Sequence, residues 1–249
     1  MKKIIILILI SLTLSANTLK MDYVGELSFF GKIADAKVIY DNDGEKYSIK
    51  IVGSGVGIVG KLTNNKRYLL ESSGLVKDGV LVPQKYINSE YAKGFEKVKT
   101  YTFDYAKNKT YVNEYKKEQI KISDFDIIHV RYNISYKDVI TKKREVLDDI
   151  YQDDMISMFF NKKHNFLEMK DNETRRLNAL GSKDTQEGVI IKHIKNENNK
   201  TIFSVAVEKD YLSGGSKDAT FILDEDNILY ETRIDGILFF GNARVRRVK

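Results

Sequence analysis

Three histidines, a run of aspartates and a glycine-rich turn are the residues whose types and spacing suit chemistry. His129, His164 and His193 are the only imidazoles, and cysteine is absent. That excludes thiol catalysis, thiolate metal sites and iron–sulfur clusters. No two histidines stand at the spacing of a helical or hairpin metal pair. Asp148, Asp149, Asp153 and Asp154 have the residue type for a paired-carboxylate acid and base, but at helical spacing they read as a solvated face, self-repelling at i,i+4. Gly55, Gly57 and Gly60 spell G-x-G-x-x-G, and with Lys61 almost a P-loop. Leu62 stands where the magnesium-binding hydroxyl belongs, and Thr63-Asn64-Asn65-Lys66 reads as a turn. A phosphate cradle needs a helix opening at the glycines, so the stretch reads as a strand bend or bulge. Asp41-Asn42-Asp43-Gly44 and Asp224–Asn227 hint at calcium but lack the EF-hand spacing with its terminal Glu. No G-x-S-x-G elbow or S-x-x-K nominates a serine nucleophile. The expectation is a non-enzyme with no catalytic residue, no cofactor, no metal and no nucleotide.

The elements that would position these residues alternate with a period of two. Val130, Tyr132, Ile134 and Tyr136 alternate with Arg131, Asn133 and Ser135, the pattern of a strand with one buried and one wet face. Tyr101, Phe103 and Tyr105 do the same, as do Tyr47, Ile49 and Ile51 after a hairpin turn at Asp43-Gly44. Phe203, Val205 and Val207 form another stripe, and Phe221–Leu223 with Ile228–Ile234 flank a hairpin at Asp224–Asn227. One segment departs from this. From Thr141 to Phe160, Leu147, Tyr151, Met155, Met158 and Phe159 recur at spacings of three and four, which predicts an amphipathic helix about 30 Å long. The expected fold is mainly β: a curved antiparallel sheet or incomplete barrel with that helix packed on its concave face.

Where the protein works is indicated by its first residues. Lys2 and Lys3 lead an apolar run from Ile4 to Leu14, then small Ser15 and Ala16, the order of a secretory signal and too short for a transmembrane helix. Residues 1–16 are therefore expected to be a signal peptide, and 17–249 a single β-rich periplasmic domain. A cut after Ala16 leaves Leu14 where a smaller residue is usual, so a retained anchor is the alternative. Without cysteine there is neither a disulfide nor a lipidation site at the signal exit. The formal charge of +6 becomes +4 once Lys2 and Lys3 leave, which suits anionic envelope partners and peripheral membrane contact. Export argues against nucleic acid. Arg244, Arg246, Arg247 and Lys249 form a basic terminal strand, read either as a headgroup dock or as a charged edge strand.

Several segments together carry a resemblance. Tyr23 to Gly31 opens the chain; Gly79-Val80-Leu81-Val82-Pro83 precedes Tyr86; Phe103-Asp104-Tyr105 ends a strand. Asp148/Asp149 and Ser157 to Phe160 follow, and the tail Ile222 to Val248 carries a late Gly241. This order resembles the bacterial domain-of-unknown-function family 3108, exported envelope proteins of unassigned activity. Ala34, and Asn161-Lys162, depart from its pattern. The resemblance implies a periplasmic β-sheet protein with one packing helix, akin to the lipoprotein-carrier half-barrels, and transfers no catalytic residue.

The function expected on these grounds is a non-catalytic binding or carrier module for an apolar ligand such as a lipid, with an envelope assembly or interaction protein as the alternative. Val130, Tyr132, Ile134 and Tyr136 of the strand and Met155, Met158 and Phe159 of the helix are the expected lining residues. Intact-mass measurement of the protein recovered from the cell envelope should find a chain beginning at Asn17; a mass that includes Met1–Ala16 would establish the retained anchor.

Overall fold

Alternation and turn chemistry between them account for most of the architecture. The structure, a computed structural model, describes residues 17–148, 150–180, 186–207, 218–237 and 241–248. Met1–Ala16, Asp149 and Lys249, singled out above, lie outside the described residues. An eight-strand meander comes first: β1 (Asn17–Leu27), β2 (Gly31–Asn42), β3 (Lys46–Gly55), β4 (Arg67–Lys77), β5 (Val80–Ala92), β6 (Phe95–Asp104), β7 (Lys109–Asp126) and β8 (Arg131–Leu147). A mostly irregular crossing follows, and then a second meander of β9 (Thr174–Leu180), β10 (Gln186–Glu197), β11 (Lys200–Val207), β12 (Ala219–Leu223), β13 (Leu229–Ile237) and β14 (Gly241–Arg247). The two meanders join through β1 and β14, which pair antiparallel with Tyr23 opposite Arg247 and Leu27 opposite Ala243. All fourteen strands thus form one antiparallel sheet that is not closed into a barrel, with β8 and β9 as its edges.

Tight turns make this connectivity possible, and most are built from residues that tolerate a positive φ. Asn64, Asn65, Asp78, Asn108, Asn198, Asn199 and Asn227 all adopt it, as short polar side chains do at little cost. The acidic turns hold backbone amides. Asp43 Oδ1 accepts from the amides of Glu45 and Lys46 at 2.9 and 2.7 Å, and those backbone hydrogen bonds hold its carboxyl below the usual range. Asp224 Oδ1 accepts from the amides of Asp226 and Ile228.

Two expectations about local structure need correction. The glycine-rich stretch is a short helix, α1 (Gly57–Leu62), instead of a strand bend or bulge. Gly55 and Gly60 let it lie against the end of β3: a Cβ on Gly60 would stand 2.8 Å from the Gly55 carbonyl oxygen. The strands on either side, β3 and β4, pair antiparallel, so the βαβ context of a nucleotide fingerprint is missing. The long helix over Thr141–Phe160 does not form either. Thr141–Leu147 continue β8 against β7, and helix is confined to α2 (Ser157–Phe160). The 3–4 spacing of apolar residues is real, but a ready partner strand satisfies the backbone of the first third.

One face of the sheet carries the core. Tyr47 and Ile49 of β3, Leu81 and Tyr86 of β5, and Tyr101 and Phe103 of β6 are all buried there, with Tyr86 and Tyr101 stacked at 5.5 Å. Leu81 and Tyr86 differ in parity, and a bulge lets both face inward: Ser73 pairs with Lys85 and Gly74 with Pro83, leaving Gln84 as the extra residue. The chain's single proline sits at this break, where its missing N–H does least harm. Gly74 is required opposite it, because a Cβ would come within 2.0 Å of the Val82 carbonyl oxygen. Gly74→Ala is expected to lower unfolding stability by about 3 kcal/mol, read as a reduced urea midpoint at unchanged slope.

Candidate functional site

The crossing from β8 to β9 packs against the buried face of the sheet as a plug. Two adjacent aspartates shape it. Asp154 Oδ1 accepts from the amides of Ile156 and Ser157 at 3.0 and 2.9 Å, the local bonding by which Asp begins a helix but does not continue one. The helix α2 ends at Asn161, whose side-chain amide pairs with Leu81 in both directions: Leu81 N–H donates to Oδ1 at 3.1 Å, and Nδ2 donates to the Leu81 carbonyl at 2.9 Å. An amide side chain here takes the place of a neighbouring strand.

The same aspartates pin the plug. Asp154, fully buried, accepts from the Ser72 hydroxyl of β4 at 2.6 Å, and Ser72 in turn meets the Tyr47 hydroxyl at 3.0 Å. Burial pushes the Asp154 carboxyl up to about 6, against the pull of its Ser72, Ser157 and Ile156 hydrogen bonds. Burial also raises Tyr47, and the Asp154 charge adds to this. Asp153 accepts from Asn161 Nδ2 at 2.9 Å, His164 Nε2 at 3.0 Å and Lys163 Nζ at 2.8 Å. Burial pushes Asp153 up too, but His164, Lys163 and Asn161 outweigh it and hold its carboxyl below the usual value. On the other side, Leu180 N–H of β9 donates to the Asp153 carbonyl at 3.0 Å, and Asp154 forms a parallel bridge with Leu180. Asp153 and Asp154 are thus sealed in the interior instead of lying on a solvated face, while Asp148 is exposed and ion-paired with Lys109 at 3.6 Å. The Tyr47–Ser72–Asp154 chain sets a hydroxyl beside a carboxylate, both buried, and ties the plug to β3 and β4.

Beside the pinned plug lies an apolar cavity of about 220 Å³. Tyr23, Ala36, Val38 and Ile51 of β1–β3 form one wall, Ile156, Phe159 and Phe160 of the plug another, and Phe221, Leu223, Ile228 and Leu229 of the β12–β13 hairpin the third. Phe159 lies 5.5 Å from Phe221, ring to ring. Polar atoms are few. The Tyr23 hydroxyl donates to the Leu229 carbonyl at 2.6 Å and is pushed up to about 12 by burial. Asn227 Oδ1 is buried at the wall with no hydrogen-bond partner.

Of the seven residues expected to line a ligand site, only Phe159 does so. Met158 is fully buried in the core formed with β9–β12, and Met155 packs on the same cluster. Val130, Tyr132, Ile134 and Tyr136 are exposed on an outer hairpin, far from the role of lining. Tyr23, Ala36, Val38, Ile51 and Phe160 were not legible as a site, although Leu19, Met21 and Tyr23 do alternate with Lys20 and Asp22. The histidines are not gathered together. His129 lies in the turn between β7 and β8, not on a strand, while His164 bonds Asp153 on the plug. His193 is buried in β10 with Nδ1 3.3 Å from Asp171 Oδ1, misaligned for a hydrogen bond. Among the described residues no cluster of three or more His, Asp or Glu suits a metal ion. The basic strand β14 lies inside the sheet, not at an edge, and its arginines are engaged: Arg244 donates to Glu231, Arg246 to Glu26 at 3.4 Å and Arg247 to Asp224 at 2.5 Å.

No family model, no curated protein and no solved structure matches this chain.

The raised Asp154 carboxyl makes a pH-dependent prediction. Between its ordinary value and about 6 the folded protein keeps this proton while the unfolded chain releases it, so the site's contribution is complete below pH 4 and is lost as pH rises through 6. Asp154→Asn keeps the acceptor for the two amides and removes the ionisation. Its stability relative to the parent should therefore improve by about 3 kcal/mol between pH 4 and pH 7, measured by urea unfolding across that range.

Proposed function

We propose that this chain is an exported, non-catalytic binding or carrier module whose cargo is an apolar molecule such as a lipid acyl chain. The observation that carries the proposal is the cavity between the plug and the β1–β14 seam. Its walls are aliphatic and aromatic, as in small-molecule sites where a few polar groups fix orientation. Apolar cavities of about 150 Å³ already stay dry and accept a benzene-sized guest, and this one is larger. Asn227 Oδ1, buried and without a partner, supplies one directional contact for a hydroxyl or N–H on an otherwise apolar guest, since leaving it unmet is costly. The leader Met1–Ala16 supports a periplasmic location, which in turn supports an envelope lipid as cargo. No feature of the cavity favours nucleotide or nucleic acid.

N-phenyl-1-naphthylamine, an apolar fluorophore with one N–H, is a suitable probe. It should brighten on binding the full chain, and Ala36→Phe, which fills the cavity from β2, should weaken binding about tenfold or more, equivalent to about 1.4 kcal/mol of lost contact. Equal binding by parent and variant, with both folded by thermal melt, would overturn the proposal.

A further inference from the structure

The β7–β8 hairpin outruns the sheet that bears it. Pairing between β6 and β7 stops at Phe95 opposite Glu118, whereas β7 and β8 continue in unbroken register from Thr110–Leu147 to Asp126–Arg131. Beyond Gln119 the ribbon therefore consists of two strands with no third neighbour among the described residues, a form with little stability of its own in water. Its side chains nevertheless include a dense set of exposed apolar groups. Ile127, Ile128 and Val130 at the tip are 79, 87 and 78% exposed, and Phe125, Tyr132, Ile134 and Tyr136 behind them are exposed as well.

The register divides these residues cleanly between faces, because opposite residues share a face and successive residues alternate. Val112, buried in the core, marks the inner face. Between positions 113 and 144 the outer face takes the odd positions of β7 and the even positions of β8. It bears Tyr115, Phe125, Tyr132, Ile134, Tyr136 and Ile140, with Phe125 and Tyr132 in ring contact at 5.0 Å. Its charged residues are Lys117, Lys121, Lys142 and Arg144 against Asp138, a net +3. The inner face over the same span, Asp126 and Arg131 aside, carries three basic and three acidic residues and is neutral, and its exposed large apolar residues are Ile120 and Ile122. Along the outer face Phe125, Tyr132, Ile134 and Tyr136 lie toward the tip, Lys121 stands opposite Tyr136, and Lys117, Lys142 and Arg144 lie toward the base.

The tip departs from the turn chemistry used elsewhere. Among the described residues, ten non-glycine residues have positive φ; nine are Asn or Asp, and the tenth is Val130. A β-branched residue is strained in that conformation, so the apolar side chain here works against the turn.

We propose that the outer face and tip of the β7–β8 hairpin dock on the surface of an anionic phospholipid bilayer. Ile127, Ile128 and Val130 enter the acyl boundary, Tyr132 and Tyr136 sit at headgroup depth where amphipathic rings are favoured, and the cations at the base meet the headgroup charge. A second copy of the chain fits less well, since two faces of +3 would repel.

The chain contains no tryptophan, so one substitution makes a clean reporter. In the full chain, Tyr132→Trp should shift its emission to shorter wavelength on adding vesicles of phosphatidylcholine and phosphatidylglycerol, and should be quenched by lipids nitroxide-labelled near the headgroup. Asn133→Trp, on the inner face, should show neither change. Adding Lys142→Gln and Arg144→Gln to the Tyr132→Trp reporter should weaken its partition about 30-fold, as the loss of two cations near an anionic surface implies. The proposal is overturned if the two reporters are quenched alike, if neither responds, if pure phosphatidylcholine serves equally well, or if Trp emission shifts with protein concentration alone, which would identify a second copy as the occupant. Because the readout does not involve the cavity, it stands or fails apart from cargo binding.

Discussion

The open sheet depends on the hydrogen bonds that Asp153 and Asp154 make inside it. Edges β8 and β9 do not pair, and a sheet of fourteen strands left open has an apolar face that must be covered. The aspartate pair provides the cover by holding the crossing segment to β3–β5 through Ser72, Tyr47 and Leu81, and to β9 through Leu180. One carboxylate is balanced by Lys163 and His164; the other is surrounded by hydroxyl and amide donors alone. A buried charge is tolerable when its lone pairs are met in this way.

The cavity follows from that arrangement. The plug must present Asp153 and Asp154 toward β4 and β5, and its next turn then carries Phe159 and Phe160 across to the β1–β14 seam. There the opposing surface is shallow, because Ala36 stands at the wall where a larger residue would fill the space. The gap follows from pinning at one end and a small residue at the other.

Much of this was legible in the sequence and some was not, for physical reasons. The hairpins at Asp43-Gly44 and Asp224–Asn227 were evident because turn residues and alternation agree there. The expected open antiparallel sheet is present, but the element packed on it is a mostly irregular segment. Leu147, Tyr151, Met155 and Phe159 carry helical spacing, yet Thr141–Leu147 find a partner in β7, and Asp154 holds the Ile156 and Ser157 amides in place of a continued helix. The stripe from Val130 to Tyr136 shows the limit of periodicity, which identifies a strand with an apolar face without saying whether that face meets protein or solvent. The cavity lining was hidden because Tyr23 and Leu229 are brought together from 206 residues apart.

The seam between β1 and β14 also governs the order of events. Glu26 and Arg246 meet across it from 220 residues apart, so the first strand lacks its second neighbour until the last has emerged. Contacts of such separation form slowly. Each meander can collapse on its own hairpins, but the wall they share is completed last. A chain made from its amino end therefore stays unlocked along this seam until its final strand is available to close it.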